Sequence, residues 1–179
     1  MRGRTLVVAL AALAVGACST DVTQIPVAPS LDAGGGGSPH FIRADATLNA
    51  DATLTVAFKE AGLADNQLID YVLSANGTAT WVCVNNGGAN PSAQNKTTVH
   101  GPVIATGSFA SGKNGQVNAS LTVSPPGSDI ACPPGQSLAL ASDSFADVRV
   151  TDTTNSEFID LSGIFASGCL LPAVRGACD

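Results

Sequence analysis

Regular patterning begins at Ile42. From there to Phe58 every even position is apolar, and every odd position from Arg43 to Lys59 is polar except Ala57. Alternation with a period of two marks strands with one buried face, and Asn49 to Asp51 is where the stretch divides into two. Glu60 to Asn66 reads as a polar connection. Ile69, Tyr71, Leu73, Ala75, Gly77, Ala79, Trp81 and Cys83 then form a second inward row. Asn76-Gly77 in its middle is a strong two-residue hairpin signal. A turn there would place Tyr71, Leu73 and Ala75 on the opposite face from Ala79, Trp81 and Cys83. A continuous strand keeps the row intact and makes Gly77 the place for a bend or bulge.

Asn85 to Lys96 has no periodicity and reads as a polar loop. The inward pattern returns at Val99, Val103, Ala105 and Phe109, and again at Val117, Ala119, Leu121 and Val123 after the Asn114-Gly115 turn. Pro125-Pro126-Gly127 and Pro133-Pro134-Gly135 bracket Cys132. Leu138 and Leu140 open another strand, whose phase shift relative to Phe145 calls for a bulge before Val148 and Val150. A turn around Thr153 to Ser156 leads into Phe158 to Phe165. About seven strands and no helical period predict an all-β fold, an antiparallel β-sandwich of immunoglobulin-like size. Trp81 precedes Cys83 instead of lying inside a Cys-to-Cys interval, so the expectation concerns architecture only.

Composition narrows the chemistry. The 179 residues include 12% charged and 4% aromatic side chains, with two His, and the formal net charge is −6. An acidic chain with eight basic residues has no electrostatic footprint for nucleic acid, and no nucleic-acid partner is expected.

The amino terminus changes the picture further. Arg2 and Arg4 precede the apolar run Leu6 to Val15, followed by Val15-Gly16-Ala17-Cys18. A charged start, a short apolar stretch and small residues at its end make a secretory signal, and the run is too short to span a bilayer as a helix. The last four residues resemble the lipobox of bacterial lipoproteins. That resemblance implies acyl chains such as palmitate on Cys18, which would become the mature amino terminus. It also implies a membrane partner through this anchor and a position at the cell envelope facing the periplasm or exterior. More than one acyl chain makes such an anchor stable. The expected organisation is a signal over 1–17, a lipidated flexible tether over 18–40 and a β-sandwich domain over 41–179. The tether contains Gly34 to Gly37 and reaches about 25 Å as a coil. Loss of Arg2 and Arg4 with the signal leaves six basic against fourteen acidic residues, a net −8.

Five cysteines are an odd number, and removing Cys18 to the anchor leaves four that can pair. Of three possible connectivities, Cys83 with Cys132 and Cys169 with Cys178 is expected. Cys83 ends a strand and Cys132 sits in a proline-bounded loop, while the second pair closes a short carboxyl-terminal loop. Val82-Cys83-Val84-Asn85-Asn86-Gly87-Gly88 with Cys132-Pro133-Pro134-Gly135-Gln136 also resembles small secreted β-rich bacterial proteins of uncharacterised function. This resemblance covers roughly residues 41 to 166 and implies no activity.

Candidate chemistry is sparse. Gly107-Ser108-Phe109-Ala110-Ser111-Gly112-Lys113-Asn114 approaches a phosphate-binding loop, but Asn114 stands where Ser or Thr would hold magnesium and a strand follows instead of a helix. It reads as a hairpin turn. There is no Gly-x-Ser-x-Gly elbow. His100 lies on the polar phase of a strand and His40 at the tether's end, neither with a ligand set or a nucleophile beside it. Neither His-Glu-x-x-His nor Cys-x-x-Cys occurs, so no zinc arrangement is expected. Asp143, Asp147, Asp152, Asn155, Glu157 and Asp160 form an acidic stretch around a turn, within which Asp152, Asn155 and Glu157 are weak calcium candidates without EF-hand spacing. Trp81 and Tyr71 fall on the buried row, where core packing suits them better than a sugar platform. Asn85, Asn86, Asn90, Gln94 and Asn95 in the polar loop are the candidate binding residues. No catalytic residue and no cofactor is assigned. The sequence reading is a noncatalytic envelope lipoprotein that serves as a binding or structural module for an envelope protein or glycan. The alternative is a secreted hydrolase, or an accessory to one, using carboxylates in 143–160.

Overall fold

A computed structural model describes residues 37–85 and 92–178. The signal, Cys18, most of the tether, and Asn86 and Asn90 of the polar loop lie outside these residues. Eight strands run β1 (His40–Leu48), β2 (Leu54–Ala61), β3 (Leu68–Asn85), β4 (Ala93–Ala110), β5 (Gln116–Val123), β6 (Gln136–Asp152), β7 (Glu157–Leu161) and β8 (Phe165–Ala166). They form two antiparallel sheets, one ordered β1-β2-β5 and the other β4-β3-β6-β7, with β8 also paired to β6. The architecture is an antiparallel β-sandwich.

The inward rows meet between the sheets. Leu54, Val56 and Phe58 of β2 and Val117, Leu121 and Val123 of β5 face Ile69, Tyr71 and Leu73 of β3 and Phe145, Val148 and Val150 of β6. Burying each of these apolar side chains contributes roughly 1.5–3 kcal/mol before chain entropy is counted. Four of the few aromatic rings gather at one end: the Tyr71 ring centre lies 4.7 Å from Phe58, 5.9 Å from Phe109 and 6.4 Å from Phe41. A smaller cluster of Val82, Ala141 and Ala177 holds the carboxyl-terminal segment against the second sheet.

The break expected at Asn49 to Asp51 is the β1–β2 connection, where Asn49 donates from Nδ2 to the hydroxyls of Thr53 and Thr55. Strand β3 is continuous through Asn76-Gly77, because Asn76 and Gly77 pair in register with Pro102 and Gly101 of β4. The bulge expected at Gly77 is instead carried by its neighbours. Register shifts opposite Ser74/Asn76 and Thr80/Trp81 give β6 one extra residue at each place, and Asp147 at the first has φ 52°. Gly77 answers a different need, since a Cβ there would sit 2.8 Å from Cδ of Pro126.

Several boundaries differ from the pattern. Strand β2 continues through Glu60, which the sequence reading placed in a connection, and Glu60 keeps the inward phase. A bulge between Phe41 and Arg43 turns Phe41 inward and leaves Ile42 49% exposed, against its expected inward place. Leu138 is likewise outward, because the extra residue near Ala141 resets the phase of β6. The polar loop is shorter than Asn85 to Lys96, since Asn85 ends β3 and β4 starts at Ala93. Asn114-Gly115 is a corner between sheets and not a hairpin, because β5 pairs with β2 and not with β4.

Both expected disulfides are present, Cys83–Cys132 and Cys169–Cys178. They suit an oxidising, exported setting. Among the described residues no helix is long and apolar enough to cross a membrane.

Candidate functional site

The candidates from the polar loop do not form one site. Asn85 closes the β3–β4 connection: its N–H donates to the Ser92 carbonyl at 3.1 Å and its Oδ1 accepts from Ser92 N at 2.8 Å. Gln94 and Asn95 stand exposed in β4, where Gln94 Oε1 accepts from Gln136 Nε2 at 3.3 Å and Asn95 takes φ 49° beside a register shift.

The calcium candidates are engaged in a turn. Asp152 is fully buried. Its Oδ1 accepts from the backbone of Thr154 (2.7 Å) and Asn155 (3.0 Å), and its Oδ2 accepts from Asn155 Nδ2 (2.6 Å). A short acidic side chain folding back on N–H groups two and three residues on is how Asp initiates turns. Among the described residues no three His, Cys, Asp or Glu side chains are grouped to hold a metal ion.

His100 is exposed and bonds across the strands to Thr78 at 2.9 Å, and His40 Nδ1 lies 2.8 Å from the Ser38 carbonyl. Tyr71 is buried as its row requires. Trp81 is only partly buried and donates from Nε1 to the Pro126 carbonyl at 2.9 Å, pinning the proline segment.

Two places where acids are buried were not legible as such. The first lies between the sheets, where Glu60 is wholly buried and accepts a 2.7 Å hydrogen bond at Oε2 from the Tyr71 hydroxyl. Its Oε1 has no hydrogen-bond partner. Burial pushes the Glu60 carboxyl up to about 7; the Tyr71 hydroxyl opposes this, while Asp152 and Glu157 add to it. The same burial and the adjoining carboxylate push the Tyr71 hydroxyl upward. The signal for this cluster was the alternation itself, which simply continues from Phe58 to Glu60.

Asp143 is a third buried acid, 4% exposed, and neither carboxylate oxygen has a hydrogen-bond partner. Burial raises its pKa, and the adjacent Ser167 hydroxyl offsets part of that rise. It lies at a cavity of about 410 Å³ bordered by Thr78, Ser142, Ser144 and the Cys169–Cys178 bridge.

The outer face of the second sheet carries the larger cavity, about 570 Å³ and open to solvent. The β6 bulge delivers Asp147 to it, where Oδ2 accepts from Asn76 Nδ2 at 2.9 Å. One turn of the ladder away, Arg149 donates from Nε and Nη2 to the two oxygens of Asp160 at 2.6 and 2.9 Å. This fork holds the Asp160 carboxyl below the usual carboxylate range. The guanidinium also lies 4.2 Å from the centre of the Phe158 ring, and Ile104 beside it is 64% exposed. Planar polar pairs fixed by their own hydrogen bonds, next to exposed apolar surface, can bind a ligand without first being ordered. Among these residues only Asp147 and Asp160 belonged to the acidic stretch picked out from the sequence. Asn76 and Arg149 had no signal beyond their polar phase.

The chain matches no protein-family model, no curated protein and no solved structure.

Proposed function

We propose that this chain is an exported lipoprotein, anchored through Cys18, whose β-sandwich acts at the cell envelope as a binding module without catalysis. The observation that supports binding is the cavity on the outer face of the second sheet, with the paired side chains of Asn76 and Asp147 and of Arg149 and Asp160 at its surface. An envelope glycan or protein is the ligand class for this face. The lipid anchor rests on the Val15-Gly16-Ala17-Cys18 motif and on the pairing of the other four cysteines.

A hydrolase remains the second reading, favoured by the presence of Asp147 and Asp160 at one cavity. Asp160 is already held in a bidentate pair with Arg149, and a carboxylate so held is poorly disposed to take up a proton.

Both parts are open to test. Membrane fractionation with a clickable fatty acid should show label on the wild-type chain and none on Cys18→Ser. Pull-down on purified envelope polymers should be weakened about tenfold or more by Arg149→Ala, given what a charged hydrogen-bonded contact is worth. Turnover of such a polymer that is lost in Asp147→Asn would replace the binding reading with the hydrolase.

A further inference from the structure

Glu60 is the one carboxylate that the first sheet sends into the sandwich interior among the described residues. Its neighbours come from every strand packed around it. Phe41 of β1 and Val117 of β5 flank it in the ladder. Tyr71 of β3 donates to Oε2, Asp152 of β6 is buried in register beside Tyr71, and Asp152 and Glu157 of β7 both act to push the Glu60 carboxyl up. No Lys, Arg or His is among the groups acting on it. Two buried carboxylates acting on each other without a cation cannot both be ionised cheaply.

The two acids differ in what their oxygens already do. Both Asp152 oxygens already accept N–H bonds from the turn. Glu60 has one oxygen satisfied by Tyr71 and one, Oε1, with nothing to bond. A proton on Glu60 gives its carboxyl a donor to offer Asp152 and removes the charge clash together. We propose that Glu60 and Asp152 share one proton across the two sheets, and that this proton clamps the β6–β7 hairpin to the first sheet.

Asp152 is the residue that shapes the turn from β6 into β7, and β7 packs against β1 of the opposite sheet. When the proton leaves to solvent, Glu60 faces Asp152 and Glu157 as an anion, and separating the hairpin from the first sheet relieves the repulsion. The sign follows from linkage. A carboxyl that ordinarily titrates near 4.5 and titrates near 7 in the folded chain adds stability that is complete below the lower value. That stability is lost as pH rises through the higher one. The clamp is closed in acid and loosened in mild alkali.

Hydrogen exchange of the full chain, corrected for the intrinsic pH dependence of exchange, tests this at residues 153–161. Protection in the wild type should fall about tenfold or more between about pH 5 and about pH 8, a shift of one pKa unit being worth a factor of ten. Glu60→Gln mimics the protonated acid, with an amide that can donate to Asp152 and accept from Tyr71, and should abolish the pH dependence. Tyr71→Phe removes the bond that favours ionised Glu60 and should move the midpoint to higher pH. Wild-type protection that does not vary with pH overturns the proposal, as does a Glu60→Gln chain that retains the full drop. Should Glu60→Gln fail to fold, the Tyr71→Phe midpoint decides alone: an upward shift supports the shared proton and an unmoved midpoint refutes it.

Discussion

The two faces of the second sheet use the same residue types in opposite ways. On the inner face acids are rare, buried and embedded in the packing: Asp152 shapes a turn and abuts Glu60 beneath a layer of Phe and Tyr rings. On the outer face Asp147 and Asp160 are exposed and paired with Asn76 and Arg149. An inner acid cannot change charge without changing how the sheets fit, because it is buried and no cationic side chain acts on it to absorb the change. An outer acid can exchange its partner for a ligand at little cost to the fold, since exposed pairs contribute little to stability. In the proposed function, structure and recognition are divided between the two sides of one sheet, with its strands serving both.

That division predicts a graded series of effects. The largest is expected from Phe145→Ala, which empties a fully buried site in the main core and should cost roughly 3–5 kcal/mol in urea denaturation. A loss below about 1 kcal/mol would mean that the interior is not close-packed there. Next comes the double change Cys169→Ser and Cys178→Ser, which opens a loop of sequence separation 9. It should cost about 2.5 kcal/mol through unfolded-state entropy while leaving the main core cooperative. The smallest effect on folding is expected from Arg149→Ala, which should leave the unfolding midpoint where it is while weakening ligand binding. A marked drop in its midpoint would erase the contrast between the faces.

Alternation made most of the sandwich legible, because a half-buried strand writes its two faces directly into the chain. The unbroken β3 followed from asking which reading kept Tyr71 and Trp81 in one row, and both disulfides followed from where Cys83 and Cys132 stand. Phase errors arose where a strand gains a residue. Ile42 and Leu138 lie at or next to bulges, and a single extra residue exchanges inside for outside, whereas the bulge at Asp147 was legible from the phase shift before Val148. Glu60 was hidden by its charge, which suggested a connection although its position continued the inward row. The outer-face cavity could not be read at all, because it joins Asn76, Asp147, Arg149 and Asp160 across three strands. Cross-strand neighbours depend on register, and register depends on those same bulges.

Strand β4 forms one border of the second sheet and, among the described residues, pairs along its length with β3 alone, apart from the Ala93 N–H that donates to the Arg175 carbonyl. Eighteen residues of border strand would offer a long template to the matching strand of another molecule. Pro102 stands near its middle, opposite Asn76. A proline fits there without costing a ladder bond only if its nitrogen faces the free side, and it then presents no donor to an arriving strand. One missing N–H divides the border into two short pieces, so an arriving strand finds no unbroken row of donors to zip along.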